Sequence, residues 1–110
     1  MITTHVLDIS IGRPGRGIAI ELERVEHGQW HMVGGGVTDE DGRLRTLTPE
    51  GPVTPGVYRI RFQTAAYFTA QGTSGFFPLV EIQFAVADGA AHYHVPLLLS
   101  PFGYSTYRGS

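Results

Sequence analysis

The stretch HYHVPLLLSPFGYSTYRGS, residues 92–110, decides how this chain folds. Its first half alternates as a β-strand does, with Tyr93, Val95, Leu97 and Leu99 directed toward one face. His92 and His94 fall on the opposite face together with Pro96 and Leu98. The stretch therefore predicts a strand that fills a core with one side and presents two histidines on the other.

The second half of the stretch predicts an ordered end of the chain. Ser100 and Pro101 interrupt the alternation, because proline cannot donate to a strand ladder and belongs at a bulge or an edge. Extended character resumes from Tyr104 to Arg108. Terminal residues usually fray, so a strand that continues into Gly109 and Ser110 indicates an end that is held in place.

The rest of the chain has the composition of an all-β protein. It has 110 residues, the size of one domain (1–110), with 15 glycines and 7 prolines between short alternating segments. We predict a Greek-key β-sandwich of seven or eight strands. One short helix is expected at about residues 64–71, where threonine begins the segment, alanines follow and Gly72 ends it.

Charge and cysteine content exclude several classes of protein. Eight basic and ten acidic residues give a formal charge of −2, which argues against a protein that binds nucleic acid or a membrane surface. The absence of cysteine excludes disulfides, thiolate zinc sites and a cysteine nucleophile. The N-terminal sequence MITTHVLDIS shows neither a secretory signal nor a transmembrane helix, so a cytoplasmic location is the default expectation.

Four local patterns give further expectations about the strands. Gly34-Gly35-Gly36 should end the strand Trp30 to Val33, and Asp41-Gly42 should turn the chain through Arg43 into a strand from Leu44 to Leu47. Asp88-Gly89 predicts a hairpin between Val80–Val86 and the His92 strand. Trp30 and the pair Phe76-Phe77 are most simply core residues.

Histidines 92 and 94 are the first candidates for chemistry. Two residues along a strand are about 7 Å apart, which suits two zinc ligands, and His5 from the first predicted strand is a possible third. No acidic residue is placed to orient these rings, so hydrogen-bonded structural histidines are the more common alternative. Arg43 after the acidic turn would by default be a solvated surface charge.

Five segments together resemble one known family. They are His5-Val6-Leu7-Asp8, Thr38 to Arg43, Phe76-Phe77-Pro78, His92 to Pro101 and the terminal Tyr107-Arg108-Gly109-Ser110. In order along the whole chain they resemble the transthyretin-related 5-hydroxyisourate hydrolases of urate breakdown. The terminal tetrapeptide is the most specific part, because transthyretin, the hormone carrier of the same fold, lacks both it and the histidines.

The resemblance implies a transthyretin-like two-sheet sandwich that assembles as a homotetramer, a dimer of dimers, with active sites at the contact between the dimers. It implies that 5-hydroxyisourate is the substrate, and that water opens its six-membered ring without a metal or other cofactor. Family roles fall on His5, Arg43 and His94 as catalytic residues. His5, Arg43, Tyr107 and Ser110 are implied to bind substrate, and His92 is a second choice for catalysis.

Such a reaction needs a base near neutral pH, a group that stabilises the oxyanion and a proton donor for the leaving nitrogen. Two histidines and an arginine supply all three functions. Two alternatives stay open on the residues alone. One is a binding module without enzymatic activity on the same sandwich, and the other is a zinc hydrolase that uses the same histidines.

Overall fold

The computed structural model describes residues 1–110 as nine strands and one helix. The elements in chain order are β1 (Ile2–Asp8), β2 (Arg13–Pro14), β3 (Ala19–Glu26), β4 (Gln29–Val37), β5 (Arg43–Leu44), β6 (Gly56–Phe62), α1 (Thr64–Ala70), β7 (Val80–Val86), β8 (Tyr93–Ser100) and β9 (Gly103–Thr106). Seven strands have four or more residues, and β2 and β5 have two each. The single helix is neither long nor apolar enough to cross a membrane.

The strands form two sheets that face each other as a sandwich. The first sheet has the order β2-β1-β8-β9, with β5 also paired to β1, and the second has the order β4-β3-β6-β7. β1 and β8 are parallel, whereas every other pair is antiparallel. The all-β sandwich with one short helix, predicted from the alternating segments, is confirmed.

Alternation along each strand builds the core between the sheets. In β8 the residues Tyr93, Val95, Leu97 and Leu99 are all buried, as the pattern predicted. β6 does the same from the second sheet, with Tyr58, Ile60 and Phe62 inside and the intervening arginines outside. Because the apolar residues of these strands point to the inner face, polar groups can occupy the outer face of the first sheet.

Helix α1 ends where the sequence predicted, and its C-terminus shows why. Gly72 takes a φ of 70° just after the helix, donating its N–H to the carbonyl of Thr69, while Thr73 donates to Phe68. These two bonds form a Schellman motif, which satisfies carbonyls that the helix itself leaves free. No side chain caps the N-terminus, so the threonine at position 64 begins the helix without acting as its cap.

The predicted hairpin between β7 and β8 is wrong. β7 pairs with β6 in the second sheet, and β8 pairs with β1 and β9 in the first, so Asp88-Gly89 carries the chain from one sheet to the other. A local bond from Ala91 to the carbonyl of Asp88 and a long-range bond from Val53 to the carbonyl of Gly89 stabilise this crossover. A turn signal fixes a reversal of the chain but not which strands then pair.

The glycine run and the arginine strand also differ from expectation. Gly34, Gly35 and Gly36 lie inside β4 opposite β3, with a register shift beside them. Glycine is required there because a Cβ at Gly34 would lie 2.0 Å from the carbonyl oxygen of Leu47. β5 ends at Leu44, so the segment up to Leu47 is not strand.

Two of the three aromatic residues expected in the core lie outside it. Phe76 is 69% exposed, whereas Phe77 is partly buried against the core. Trp30 is half-buried on the outer face of the second sheet, where the guanidinium of Arg59 lies 4.3 Å from its ring centre. Ser100 and Pro101 likewise begin a tight β8–β9 turn, in which the Ser100 hydroxyl donates to the carbonyl of Gly103 over 2.9 Å.

Candidate active site

The outer face of the first sheet gathers the predicted site residues. Parallel pairing of β1 with β8 sets Thr3 beside His94 and His5 beside Pro96. Antiparallel pairing of β5 with β1 sets Arg43 opposite His5. Residues from positions 3–5, 43 and 92–96 therefore share one patch of surface, although they are far apart in the sequence.

Thr3 links the two histidines of β8. Its hydroxyl oxygen lies 2.8 Å from Nε2 of His92 and 2.8 Å from Nδ1 of His94. The two ring centres are 6.4 Å apart, and Thr3 itself is buried. With Nδ1 of His94 occupied by this contact, Nε2 is the ring nitrogen of His94 that remains for chemistry.

A closed turn positions Arg43. The side chain of Asp39 accepts the N–H groups of Asp41 and Arg43, and Gly42 donates to the carbonyl of Asp39. The two N–H bonds to the carboxylate lower the pKa of Asp39, and the bond from Arg43 has the largest effect. The positive charges of Arg45 and Arg43 lower this pKa further. Gly42 has a φ of 74°, and a Cβ there would lie 2.3 Å from the carbonyl oxygen of Val6.

Arg43 is half-buried and forms no ion pair with any carboxylate of the chain. Two arginines on the outer face of the second sheet behave differently: Arg59 and Arg61 form ion pairs with Glu23 and Glu81. A guanidinium that stays charged and has its donors free is suited to bind a carbonyl or carboxylate oxygen of a ligand.

A cavity of about 230 Å³ opens on this face. Only one of the residues that line it is hydrophobic; they are Met1, Thr3, Thr4, Arg43, Arg45, His92, His94 and Ser110. Three of the predicted site residues, Arg43, His94 and Ser110, therefore meet in one polar cavity, and the second-choice residue His92 lies with them.

His94 has the protonation state that a general base needs. Burial lowers its pKa below the ordinary value of 6.5, and the positive charge of Arg43 lowers it further, with smaller effects from His5 and His92. A neutral imidazole at pH 7 can accept a proton from water.

Two predicted residues stand outside the cavity. His5 pairs with Arg43 and is close enough to affect the pKa of His94, but it does not line the cavity. Tyr107 is 58% exposed and borders a second, more apolar groove of about 200 Å³, between Phe84 of β7 and Tyr93. Of the predicted residues, His94, Arg43 and Ser110 therefore line the cavity of one chain, and His5 lies at its margin.

The C-terminal tail is ordered by contacts with β8, as the sequence predicted. Gly109 donates its N–H to the carbonyl of His94, in register with the β8–β9 ladder, and the Arg108 guanidinium lies 4.5 Å from the ring centre of Tyr93. A Cβ at Gly109 would lie 2.6 Å from Cδ2 of His94. Glycine at this position lets the backbone lie on the imidazole and brings Ser110 to the cavity.

Sequence reasoning missed Thr3, Arg45 and Met1, all of which line the cavity. Thr3 lies two residues before His5 in β1, so alternation predicts only that both side chains point to the same face of the strand. Nothing in the sequence shows that position 3 lies beside position 94. No three His, Cys, Asp or Glu side chains are grouped closely enough to bind a metal ion.

Comparisons with known proteins agree with this architecture. The chain is 43% identical over 110 residues to a 5-hydroxyisourate hydrolase of Salmonella dublin, covering 100% of this chain and 81% of the relative. The structure of Klebsiella pneumoniae 5-hydroxyisourate hydrolase, 36% identical, matches 99% of this chain and 98% of its own, with a TM-score of 0.85.

A solved transthyretin is also similar to this chain in fold. Sea bream transthyretin in complex with thyroxine is 35% identical, with a TM-score of 0.91, and the match covers 98% of this chain and 93% of that one. The profile of the HIUase/Transthyretin family matches residues 2–109. This chain thus belongs to the HIUase/Transthyretin family.

Proposed function

We propose that this protein is an enzyme that hydrolyses 5-hydroxyisourate to 2-oxo-4-hydroxy-4-carboxy-5-ureidoimidazoline. The observation that carries the proposal is that His94, whose pKa is lowered by burial, lies in one polar cavity with the unpaired Arg43. Relatives of similar length that bear the hydrolase name support it.

The reaction follows from the groups around the cavity. His94, assisted by His5, takes a proton from water, and the resulting hydroxide adds to a carbonyl carbon of the six-membered ring. Arg43 binds the carbonyl oxygen and stabilises the negative charge that develops there. The bond from that carbon to the ring nitrogen then breaks, and the nitrogen receives the proton held by His94. The carbon remains in the opened product as a carboxylic acid, which releases its proton to solvent and becomes a carboxylate.

Substrate binding falls on the same face of the sheet. Arg43 from β5 and Ser110 from the C-terminal tail, which both line the cavity, supply donors to the purine-like ring. His5 and Tyr107 contact the substrate from the margins. In a single chain Tyr107 borders the neighbouring groove rather than the cavity. A contact between Tyr107 and the substrate therefore requires other subunits to enclose the C-terminal tail.

A homotetramer, built as a dimer of dimers, completes the site. The cavity in one chain is about 230 Å³, smaller than the roughly 300–1,000 Å³ typical of small-molecule sites. β7 and β9 are unpaired edges of the two sheets, which favours edge-to-edge association of two chains. Exposed apolar side chains at one end of the first sheet, Ile9, Ile11 and Phe102, offer a second contact surface.

A cytoplasmic location stays a prediction.

A carrier function is the second candidate, because the chain matches transthyretin closely in fold. The chemistry of the cavity argues against it. Seven of the eight lining residues are not hydrophobic. A carrier site for an apolar ligand is expected to be lined mainly by hydrophobic and aromatic side chains.

The decisive experiment follows the ultraviolet absorbance of 5-hydroxyisourate, generated fresh from urate, with and without the protein. We expect rapid decay to the ring-opened product, unchanged after exhaustive treatment with a chelator, because imidazole, guanidinium and water suffice. Decay at the spontaneous rate would support the carrier candidate. Activity lost in chelator and restored by zinc would assign the histidines to a metal centre.

A further inference from the structure

The hydroxyl of Thr3 lies between two imidazoles and carries only one proton. It is within 2.8 Å of Nε2 of His92 and of Nδ1 of His94, and the side chain is 6% exposed. A hydroxyl donates one hydrogen bond and accepts up to two, whereas a neutral imidazole has one nitrogen that donates and one that accepts. The tautomers of the two rings therefore depend on each other.

Two arrangements satisfy every group of this chain. In the first, Nδ1–H of His94 donates to the Thr3 oxygen, and the Thr3 O–H donates to Nε2 of His92. In the second, Nε2–H of His92 donates to Thr3, and Thr3 donates to Nδ1 of His94. Both rings carry the proton on Nδ1 in the first arrangement and on Nε2 in the second.

Only the first arrangement leaves His94 ready to act as a base. With the proton on Nδ1, the free lone pair is on Nε2, the nitrogen that does not contact Thr3. In the second arrangement Nε2 already carries a proton and cannot accept one from water. We infer that Thr3 is a positioning residue that couples the tautomers of His92 and His94 and holds Nε2 of His94 as the proton acceptor.

The inference rests on the proposed hydrolysis, and it also assigns a role to His92. By accepting the Thr3 proton at Nε2, His92 stabilises the base-competent form of His94 without touching the substrate. Thr3 does for His94 what the third member of a catalytic triad does for its histidine, with a neutral hydroxyl in place of a carboxylate. Loss of the hydroxyl should lower the rate by about 10- to 100-fold, less than the 10²–10⁴-fold expected for removing the base itself.

The test compares Thr3→Val with Thr3→Ser. Valine keeps the shape of threonine but has no hydroxyl, whereas serine keeps the hydroxyl. We expect Thr3→Val to lose kcat with little change in KM, and Thr3→Ser to recover most of the rate. Thr48→Val is the matched structural control, because the Thr48 hydroxyl is equally buried and accepts the N–H of Ile2, next to Thr3, but contacts no histidine.

A measurement without substrate separates this inference from the proposed function. Long-range ¹H–¹⁵N correlation spectra of protein labelled on histidine nitrogens report which ring nitrogen carries the proton. In the unmodified protein both His92 and His94 should carry it on Nδ1, and Thr3→Val should abolish this agreement. Opposite tautomers for the two rings, or a Thr3→Val protein with unchanged kcat and unchanged tautomers, would overturn the inference.

Discussion

The role proposed for Arg43 depends on the absence of an ion pair between its guanidinium and a carboxylate of the chain. It is half-buried, its backbone is fixed by the Asp39 turn, and no carboxylate occupies its guanidinium. Its donor fork is therefore available for a ligand oxygen in the cavity, whereas an arginine paired with glutamate would first have to release its partner.

We expect Arg43→Lys to lose most of its turnover, because an ammonium group cannot reproduce the planar two-donor geometry. Steady-state kinetics and sedimentation on one preparation would separate loss of catalysis from loss of assembly. Arg16→Lys is the control, since the Arg16 side chain is 70% exposed in the loop between β2 and β3. Turnover and sedimentation of this variant should be unchanged. Near-normal turnover in Arg43→Lys would return Arg43 to the solvated surface charge that its position after a turn suggests.

His94 should give the enzyme an acid limb below pH 6.5. Its pKa in the folded protein is lowered, mainly by burial, so the ring is neutral at pH 7 and becomes protonated only as the pH falls through that lowered value. Activity is therefore full above the limb and lost below it. A pH profile of kcat/KM measures this directly, and His94→Asn should remove the limb together with about 10²–10⁴-fold of the rate.

His92→Asn is the comparison variant and should cost less than His94→Asn, because His92 acts on the base only through Thr3. The reverse ranking would transfer the catalytic role to His92.

The stability of the protein should follow the titration of His94. As the pH falls below 6.5, His94 of the unfolded chain takes up a proton before His94 of the folded chain does. The free energy of unfolding therefore declines with falling pH until the lowered pKa of the folded state is passed.

The C-terminal tail is an element whose backbone, rather than its side chains, contacts the base. Because a Cβ at Gly109 would lie 2.6 Å from the His94 ring, Gly109→Ala should displace Ser110 from the cavity and reduce turnover sharply. Gly103→Ala is the matched control: its Cβ would meet nothing closer than 3.8 Å, so activity should be kept. Equal activity of the two variants would show that the tail does not form part of the site.

Deleting Tyr107 to Ser110 tests the same element at a larger scale. The deletion leaves the buried residues of β8 intact and removes only the Gly109 backbone bond and the Arg108–Tyr93 contact. Folding should persist with a small loss of stability, on the order of 1–2 kcal/mol, while turnover falls to background. Thermal unfolding and activity of the same truncated protein would separate the two effects.

Helix α1 is anchored to the first sheet by one buried hydrogen bond. The Tyr67 hydroxyl donates to Asp8 over 2.7 Å, and burial together with this carboxylate raises the pKa of Tyr67. Tyr67→Phe should reduce the free energy of unfolding by about 1.5–3 kcal/mol without affecting catalysis. Urea unfolding of Tyr67→Phe beside Tyr104→Phe measures it, since the hydroxyl of Tyr104 forms no hydrogen bond within the chain.

The sign of the pH dependence follows from the raised pKa. The contribution of Tyr67 is fully present below pH 10, the ordinary value for tyrosine, and is lost as the pH rises through the higher folded value. The difference in stability between the unmodified protein and Tyr67→Phe should therefore shrink only in strong alkali. A difference that was already absent at pH 7 would mean that the bond does not anchor the helix.

At the scale of the whole molecule, exposed apolar side chains concentrate where β1 and β8 end. The two strands are parallel, so the loop with Ile9 and Ile11 and the turn with Phe102 lie at the same end of the first sheet. Phe102→Glu should break the proposed contact between dimers, reduce the mass in sedimentation and lower turnover. Met32→Glu, at a residue that is 60% exposed against 76% for Phe102 but lies on the second sheet, should leave assembly and activity unchanged. A dissociated Phe102→Glu protein with full activity would mean that one chain holds a complete site.

The sequence by itself determined the all-β class of this protein, the inward and outward faces of its long strands and the place of its helix. Strand alternation has a period of two, so the core face of β8 and the histidine face opposite it could be identified without knowing any partner strand. The C-terminal end of α1 followed from local bonds at Gly72. These features depend on neighbours in the chain, which a sequence displays.

Only the tertiary structure decided which strands pair, and the site depends on that pairing. Asp88-Gly89 predicted a hairpin, but β8 crosses to the other sheet and lies parallel to β1, which places Thr3 beside His94. The register of β5 then sets Arg43 opposite His5. Pairing between distant strands is governed by burial of whole faces against each other, and no local pattern records it. For this reason the sequence could show that His94 faces away from the core, whereas its contact with the Thr3 hydroxyl could not be predicted.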